Sequence, residues 1–395
     1  MTSSSICVAF GGNSPEHEVS VISAIQAMQA LKERGKDVLP LYITKSGRWL
    51  TGDHLTDIAN FKDLNTLEER SVPCHFQFDE LGKARLFSSR KKLFGTPESW
   101  NIDVVVMAFH GSDGENGAFQ GLLESYNIAY TGSGHTGAAV AMDKEISKKL
   151  CGLAGINITE SISFYEFEWV KSQEAYLEKA ESIGFPLMVK PINLGSSIGV
   201  KRVENRDELT TGIETAFRFD ERLIVEEAIT PLIEINCSVM GTPEEMEVSV
   251  CEMPKGSEES LSFEDKYMSG ESSSKGMASA NRIIPAPISE ELTEEIQSLS
   301  KKIFKTLQAA GLVRIDFLVH AETQKVYFNE INTIPGSFSF YLWKESDISF
   351  EQLLLRLIEI AKKVHHKKNG RVRSYETNLL NVKSSQGIKG LKGTK

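Results

Sequence analysis

Near the C-terminal end, carboxylates, an amide and a guanidinium fall at alternate positions: Arg314-Ile315-Asp316, then Asn329-Glu330-Ile331-Asn332. Side chains alternate across a strand, so Arg314 and Asp316 share one face, as do Glu330 and Asn332. A turn centred near Thr323 makes a hairpin that sets Asp316 against Glu330 and Arg314 against Asn332. Like charges directly opposite destabilise a sheet, and a cation is the natural complement. Hard oxygen ligands in an open set suit Mg²⁺ shared with a phosphate. The same residues would equally suit a solvated face carrying a weak surface ion pair.

Two lysines could add phosphate contacts. Lys190 closes the apolar run Pro186-Leu187-Met188-Val189 and precedes Gly195-Ser196-Ser197-Ile198-Gly199, whose backbone N–H groups could wrap phosphate oxygens. Lys144 lies in Met142-Asp143-Lys144. For any single lysine a surface role is the commoner case. Glu16, in the first turn of a helix, is placed to hold an ammonium beyond Gly11-Gly12, although acids are common there in any helix. His110 opens a loop, His110-Gly-Ser-Asp-Gly-Glu-Asn-Gly117, whose glycines permit close backbone approach. The chain has no P-loop and no His-Glu-x-x-His motif. A formal Gly132-x-Gly134-x-x-Gly137 lacks the acidic strand end expected ~20 positions later in a dinucleotide site.

These residues need elements to position them. Ile6–Phe10 reads as a buried strand, followed by a Gly turn, Ser14 as helix cap and Pro15 as first helical residue. Ile22, Ile25, Met28 and Leu31 form the apolar face, and Gly35 ends the helix. Strands follow at 38–43, 104–109 and 128–130, with a polar, irregular stretch from 44 to 100 and one long helix over 136–153. This alternation predicts a parallel sheet with its ligands at the carboxyl ends of the strands. Further strands are expected at 186–190 and 223–226, and a mobile Ser/Gly/Glu-rich loop at 256–281. Ser289 caps a helix carrying Leu292, Ile296, Leu299, Ile303 and Leu307. The hairpin occupies 312–332 and a terminal helix 350–364.

The whole-chain composition fits a globular protein: 395 residues, 41% hydrophobic and 25% charged. A formal charge of −10 argues against nucleic acid or an anionic membrane as partner. No run approaches the ~20 apolar residues that span a bilayer. The N-terminus lacks a basic flank and a long apolar core, so no signal peptide is expected. Five scattered cysteines without a Cys-x-x-Cys indicate reduced thiols in a cytoplasmic protein.

The order of these segments resembles the D-alanine–D-alanine ligase family of the ATP-grasp superfamily from about residue 6 to about 362. The blocks are GGNSPEHEVS (11–20), HGSDGENGAFQG (110–121), YTGSG (130–134), MDK (142–144), FPLMVKPINLGSSIGV (185–200), EEAI (226–229), DKY (265–267), VRIDF (313–317) and NEINTIPG (329–336). The resemblance implies a mixed α/β fold: a Rossmann-like domain over 1–134, ATP-grasp subdomains over 135–225 and 226–366, and a disordered basic tail over 367–395. It implies ATP and two Mg²⁺ ions (or Mn²⁺ as a substitute), a bacterial cytoplasmic homodimer, and D-alanine activated as an acyl phosphate for attack by a second D-alanine.

By position, Glu16 would bind the first ammonium, with Ser196 and Tyr267 completing a relay that closes the site. Lys144, Lys190, Lys266 and Ser197 would hold phosphates. Glu226, Glu227 and Ile229 would frame adenine and Glu234 the ribose. Asp316, Glu330 and Asn332 would bind metal, and Arg314 and the Gly336 N–H the oxyanion. His110 would border the first substrate, Ser337 and Tyr341 the second. Three departures stand out. The lid is shorter before Lys266-Tyr267 and longer after it, Leu194 replaces a common acid, and Tyr341 replaces a small hydroxyl residue. The last admits another D-amino acid or D-hydroxy acid as second substrate, although Tyr267 favours an amine. A non-catalytic ATP-binding relative is the other alternative.

Overall fold

A computed structural model describes residues 4–91, 96–254 and 282–372. The N-terminal strand β1 (Ser4–Gly11) runs parallel to β2 (Val38–Ile43), with α1 (His17–Glu33) crossing between them. Next come β3 (Trp49–Thr51), α2 (Leu64–Arg70), β4 (Val72–Phe78), β5 (Ala84–Ser88) and β6 (Ser99–Met107). β6 returns parallel to β1 and closes a six-stranded barrel. Only the β2-β1-β6 portion matches the expected parallel sheet; the other pairings are antiparallel. The stretch expected to be irregular holds β3 to β5. β4 buries Cys74 and Phe76 but exposes His75 and Gln77, so it has no continuous apolar run to reveal it. Residues 128–130 make a single parallel bridge, Val105 to Tyr130, rather than a strand.

The first helix starts later than its cap signal suggests. The Ser14 hydroxyl accepts from Glu16 N (3.1 Å) and donates to the His110 carbonyl (2.7 Å), so it ties two loops together. After α3 (Ser112–Glu115) and α4 (Ala118–Ser125), the single helix expected over 136–153 is two: α5 (His135–Met142) and α6 (Lys144–Leu153). Asp143 breaks it with an extended backbone and caps α6 by accepting from Ile146 N at 2.8 Å. Lys144 therefore opens a helix instead of lying within one.

β7 (Ser161–Tyr165), α7 (Glu166–Glu181), β8 (Leu187–Pro191), β9 (Lys201–Val203), α8 (Arg206–Ala216) and β10 (Arg222–Glu227) build a four-stranded sheet, order β7-β10-β8-β9. Its core is local, around Phe164, Trp169, Val189, Ile213 and Leu223. β11 (Leu232–Gly241), β12 (Met246–Pro254), β13 (Arg282–Ile283), α9 (Glu290–Thr306), β14 (Gly311–His320) and β15 (Val326–Asn332) follow. Their sheet has the order β13-β12-β11-β14-β15, and α9 packs Ile296, Ile303 and Phe304 against it. The Ser289 cap is present, accepting from Leu292 N at 3.2 Å. After α10 (Phe340–Lys344), α11 (Phe350–Asn369) packs back on the first unit; it outruns the expected helix end and takes in residues assigned to the tail. The lid segment 256–281 and the chain beyond 372 lie outside the described residues.

Candidate active site

The hairpin register is the expected one: Arg314 lies opposite Asn332 and Asp316 opposite Glu330. Immediately after Asp316 the register shifts, leaving Asn329 as an extra residue on β15. Such a bulge re-aims a side chain, and the Asn329 Oδ1 accepts from Lys190 Nζ at 3.1 Å. Arg314 grips Asp316 with Nε and Nη2, each at 2.7 Å, and Asn332 Nδ2 donates to the same carboxylate at 3.1 Å. Burial pushes the Asp316 carboxyl up; Arg314 opposes that, and Glu330 adds repulsion. Burial works against the Arg314 charge, but Asp316 holds it firmly protonated. Lys144 Nζ reaches Glu330 at 3.4 Å and also donates to the Leu194 carbonyl.

The register extends this polar row across the sheet. Asn236 on β11 lies opposite Asp316 on one side and Glu252 on the other. Glu252, Asn236, Asp316 and Glu330 therefore share one face over four strands. Glu234, two residues before Asn236, falls on that face as well.

A second charged cluster sits behind the first. Glu226 is fully buried between Lys148 (2.7 Å) and Lys190, and it accepts from the Thr159 hydroxyl at 2.9 Å. Burial disfavours its charge, but the two lysines hold the carboxyl well below the usual range. Lys148 was not singled out in the sequence; its spacing of four from Lys144 on α6 was the available signal. Glu227 is half-buried and its N–H donates to the Glu160 carbonyl, while the Ile229 side chain is buried.

Glycine-rich loops close around Glu16. The Ser196 hydroxyl donates to its carboxylate, and Ser196 and Ser197 both hold left-handed backbones, at φ 54° and 60°. A Cβ on Gly111 would lie 2.8 Å from both Glu16 Oε2 and Ser14 Oγ, so only glycine permits this approach. Ser23 links the His110 imidazole (2.8 Å) to the backbone N–H of Ser337 (3.0 Å). Burial lowers His110 to about 4. Glu115, also missed in the sequence, accepts from Gly111 N (2.9 Å) and Ile334 N (3.1 Å). Burial, with repulsion from Glu16, raises it to about 7.

Gly336 begins a tight turn in which Ser337, Phe338 and Ser339 all have positive φ, 48°, 56° and 44°. Ser337 is buried there. Tyr341 follows on α10; its hydroxyl donates to Glu252 Oε1 at 3.3 Å, and the Arg282 guanidinium lies over its ring at 3.9 Å. Lys266 and Tyr267 lie outside the described residues. Two acidic strands, Lys144, Lys190 and two glycine-bearing loops thus meet in one place, with Lys148 and Glu226 behind them, an arrangement suited to neutralising phosphate beside a carboxylate substrate.

Comparison with known proteins agrees. The family model described as D-ala D-ala ligase N-terminus matches residues 5–133, and its C-terminus counterpart matches residues 150–359. The chain belongs to the D-alanine–D-alanine ligase family. It is 36% identical to a D-alanine–D-alanine ligase of Thermosipho melanesiensis, covering 96% of this chain and 98% of that one. A ligase of that name from Thermosipho africanus is 38% identical, over 95% and 97%. Among solved structures, the D-alanine-D-alanine ligase from Coxiella burnetii superposes with a TM-score of 0.77 at 28% identity, over 93% and 97%. The VanG D-Ala:D-Ser ligase from Enterococcus faecalis gives 0.76 at 30%, over 91% and 100%. As a member of this family the chain has the ATP-grasp fold, and its two sheets after residue 160 flank the Lys190–Asn329 contact.

Proposed function

We infer that the chain uses ATP to join two D-alanines into D-alanyl-D-alanine for peptidoglycan synthesis, releasing ADP and phosphate. The donor carboxylate attacks the γ-phosphorus and the bond to ADP breaks. The acceptor amine then attacks the acyl carbon: the C–N bond forms, the C–O bond to phosphate breaks, and the nitrogen loses a proton. Two waiting contacts support this reading, because each substrate charge has a residue ready to exchange partners. Lys190 sits on Glu226 and Asn329, within reach of an incoming phosphate. Arg314 sits on Asp316, and with the Gly336 N–H it would take the oxyanion.

Glu16, fixed by Ser196, takes the donor ammonium, and His110 borders the same substrate. Lys144, Lys190, Lys266 and the Ser197 region hold phosphates, and Tyr267 belongs to the relay with Ser196 and Glu16. Glu226, Glu227 and Ile229 frame adenine, and Glu234 takes the ribose. Ser337 and Tyr341 border the acceptor. Holding reactants in line and excluding water from the acyl phosphate are the main contributions of this chain.

Mg²⁺ fits the remaining donors. Among the described residues no three His, Cys, Asp or Glu side chains gather as a closed metal site. Asp316 and Glu330 instead face each other with mutual repulsion, and Asn332 adds an amide, an open set that phosphate oxygens complete. Bound there, Mg²⁺ would neutralise phosphate charge. The three separate sheets support a three-part division, with β10 carrying the middle sheet on to Glu227, past the expected boundary at 225. A cytoplasmic homodimer belongs to the same reading, and sedimentation velocity measures the dimer directly.

Purified protein with ATP, Mg²⁺ and D-alanine should form dipeptide and release phosphate. The double substitution Asp316→Ala/Glu330→Ala should lower the rate at least ~100-fold, the scale of losing fixed transition-state stabilisation. Undiminished synthesis in that variant would refute the metal-hairpin mechanism.

A further inference from the structure

The polar row on the C-terminal sheet does not end at the proposed metal site. From Glu330 and Asp316 it continues through Asn236 to Glu252 on β12. Glu252 is 1% exposed and binds three groups: Arg282 Nη1 at 2.7 Å, Asn236 Nδ2 at 3.0 Å and the Tyr341 hydroxyl at 3.3 Å. Arg282 lies on β13 opposite Pro254, and its guanidinium stacks on Tyr341. The row therefore has a distinct polarity. Carboxylates for cation and phosphate stand at one end, Arg314 next to them, and a second cation at the far end, about two strand spacings or roughly 10 Å from Asp316.

An acceptor amino acid has matching polarity. Its amine must reach the acyl phosphate beside Asp316 and Glu330. Its own carboxylate then projects away from them. Arg314, already committed to Asp316 and to the oxyanion, is not the cation it would meet there. We propose that Arg282 anchors the acceptor's carboxylate and so sets acceptor specificity, with Glu252 and Tyr341 as positioning residues. This rests on the ligation reading and deepens its acceptor half. Stacking on Tyr341 engages the face of the guanidinium and aims its N–H edge in plane, the geometry in which arginine recognises carboxylates. Glu252 fixes that plane through Arg282 and fixes the tyrosine through its hydroxyl. Tyr341 thus works here as a platform, in the place where relatives use a small hydroxyl residue.

A competition between two acceptors tests this. D-Alaninamide has no carboxylate to phosphorylate, so it can enter only as acceptor. Full-length protein is given ATP, Mg²⁺, D-alanine and D-alaninamide together. Mass spectrometry reads the ratio of D-alanyl-D-alanine to D-alanyl-D-alaninamide. The unsubstituted chain should favour the free acid. Arg282→Met should lower that ratio at least ~10-fold, as loss of a charged partner does. Arg282→Lys, which keeps charge but lacks the fork, should lower it several-fold and serves if the methionine variant fails to fold. A merely structural role would slow both products alike and leave the ratio fixed. An unchanged ratio in either folded variant, or no preference in the unsubstituted chain, overturns the proposal. Absence of any ligated product from the unsubstituted chain would instead overturn the ligation reading itself.

Discussion

At the scale of single residues, burial sets the working charge of the site. His110 is 4% exposed and burial lowers its imidazole from 6.5 to about 4. The unfolded chain takes up this proton near pH 6.5, whereas the folded chain resists it until about 4. The stability it contributes is therefore complete above pH 6.5 and is lost as pH falls toward 4, by up to roughly 3 kcal/mol at ~1.4 kcal/mol per unit. Glu115 acts in the opposite sense. Burial and then Glu16 raise it from 4.5 to about 7, so its contribution is present below 4.5 and is lost as pH rises through 7. Between 4.5 and 6.5 the two slopes oppose each other. Urea titrations from pH 4 to 8 should show a shallow profile for the unsubstituted chain. In His110→Gln the acid-side loss should disappear, leaving stability that declines steadily toward pH 7. An unaltered profile in that variant would mean that the histidine is not held neutral by the fold. Such couplings explain which residues the sequence concealed. Asp316 and Glu330 were legible because strand alternation and a turn near Thr323 pair them. Glu115, Lys148, Glu252 and Arg282 were not, because each owes its role to partners on distant elements, and one acid or lysine among many carries no local mark.

Elements were legible where periodicity and capping agreed. The hairpin, the Ser289-capped helix and the strand before Lys190 all combine an apolar pattern with a clear boundary. The break at Asp143 was hidden because apolar residues continue on both sides of it. The bulge at Asn329 was hidden because register shifts depend on the partner strand. The glycines at 132, 134 and 137 show the converse, a formal motif with another cause. A Cβ on Gly137 would stand 2.5 Å from the Gln308 carbonyl oxygen, and a Cβ on Gly311 would stand 2.6 Å from Gly132 N and Cα. Gly137 and Gly311 thus let α5 and its preceding loop press against the turn that leads into β14, and Gly132 is called for by its own φ of 96°; no dinucleotide is needed to account for either position. Gly137→Ala should therefore cost about 1–3 kcal/mol through overpacking against a rigid carbonyl. Gly121, on α4, meets nothing within 4 Å. Gly121→Ala should instead stabilise by up to ~1 kcal/mol by restricting the unfolded chain and favouring helix. Thermal unfolding of the two variants compares the effects directly. Equal shifts would show that helix propensity, not the Gln308 contact, decides at 137.

At the scale of the whole molecule, chain order and core order diverge. One core joins Ile6, Val8, Met28 and Leu31 of the first unit to Leu312, Trp343, Leu353 and Leu357 near the C-terminus. Trp343 is 1% exposed and its indole N–H donates to Ser238 Oγ at 3.0 Å, pinning the same core to β11. The sheet built from residues 161–227, by contrast, keeps a core of its own. Its ties to the other two parts include polar contacts such as Ser196–Glu16, Lys190–Asn329 and Lys144–Leu194, all of them at the cleft. Apolar burial makes segments unfold together, while polar contacts at a cleft leave local opening inexpensive. Leu223→Ala, which removes a fully buried side chain from the middle core, should cost ~2–5 kcal/mol there. Hydrogen exchange in that variant should rise across 161–227 while β1, β6 and β14 keep their protection. Trp343→Ala should do the reverse, raising exchange in β1, β6 and β14 together although β14 lies more than 200 residues from the other two in the chain. Saturating ATP with Mg²⁺ should then restore protection to the middle unit in Leu223→Ala, because a ligand bridging the cleft stabilises whichever unit opens first. Uniform loss of protection in both variants would mean one undivided cooperative unit, and the cleft would then have to admit substrate without any of its walls moving independently.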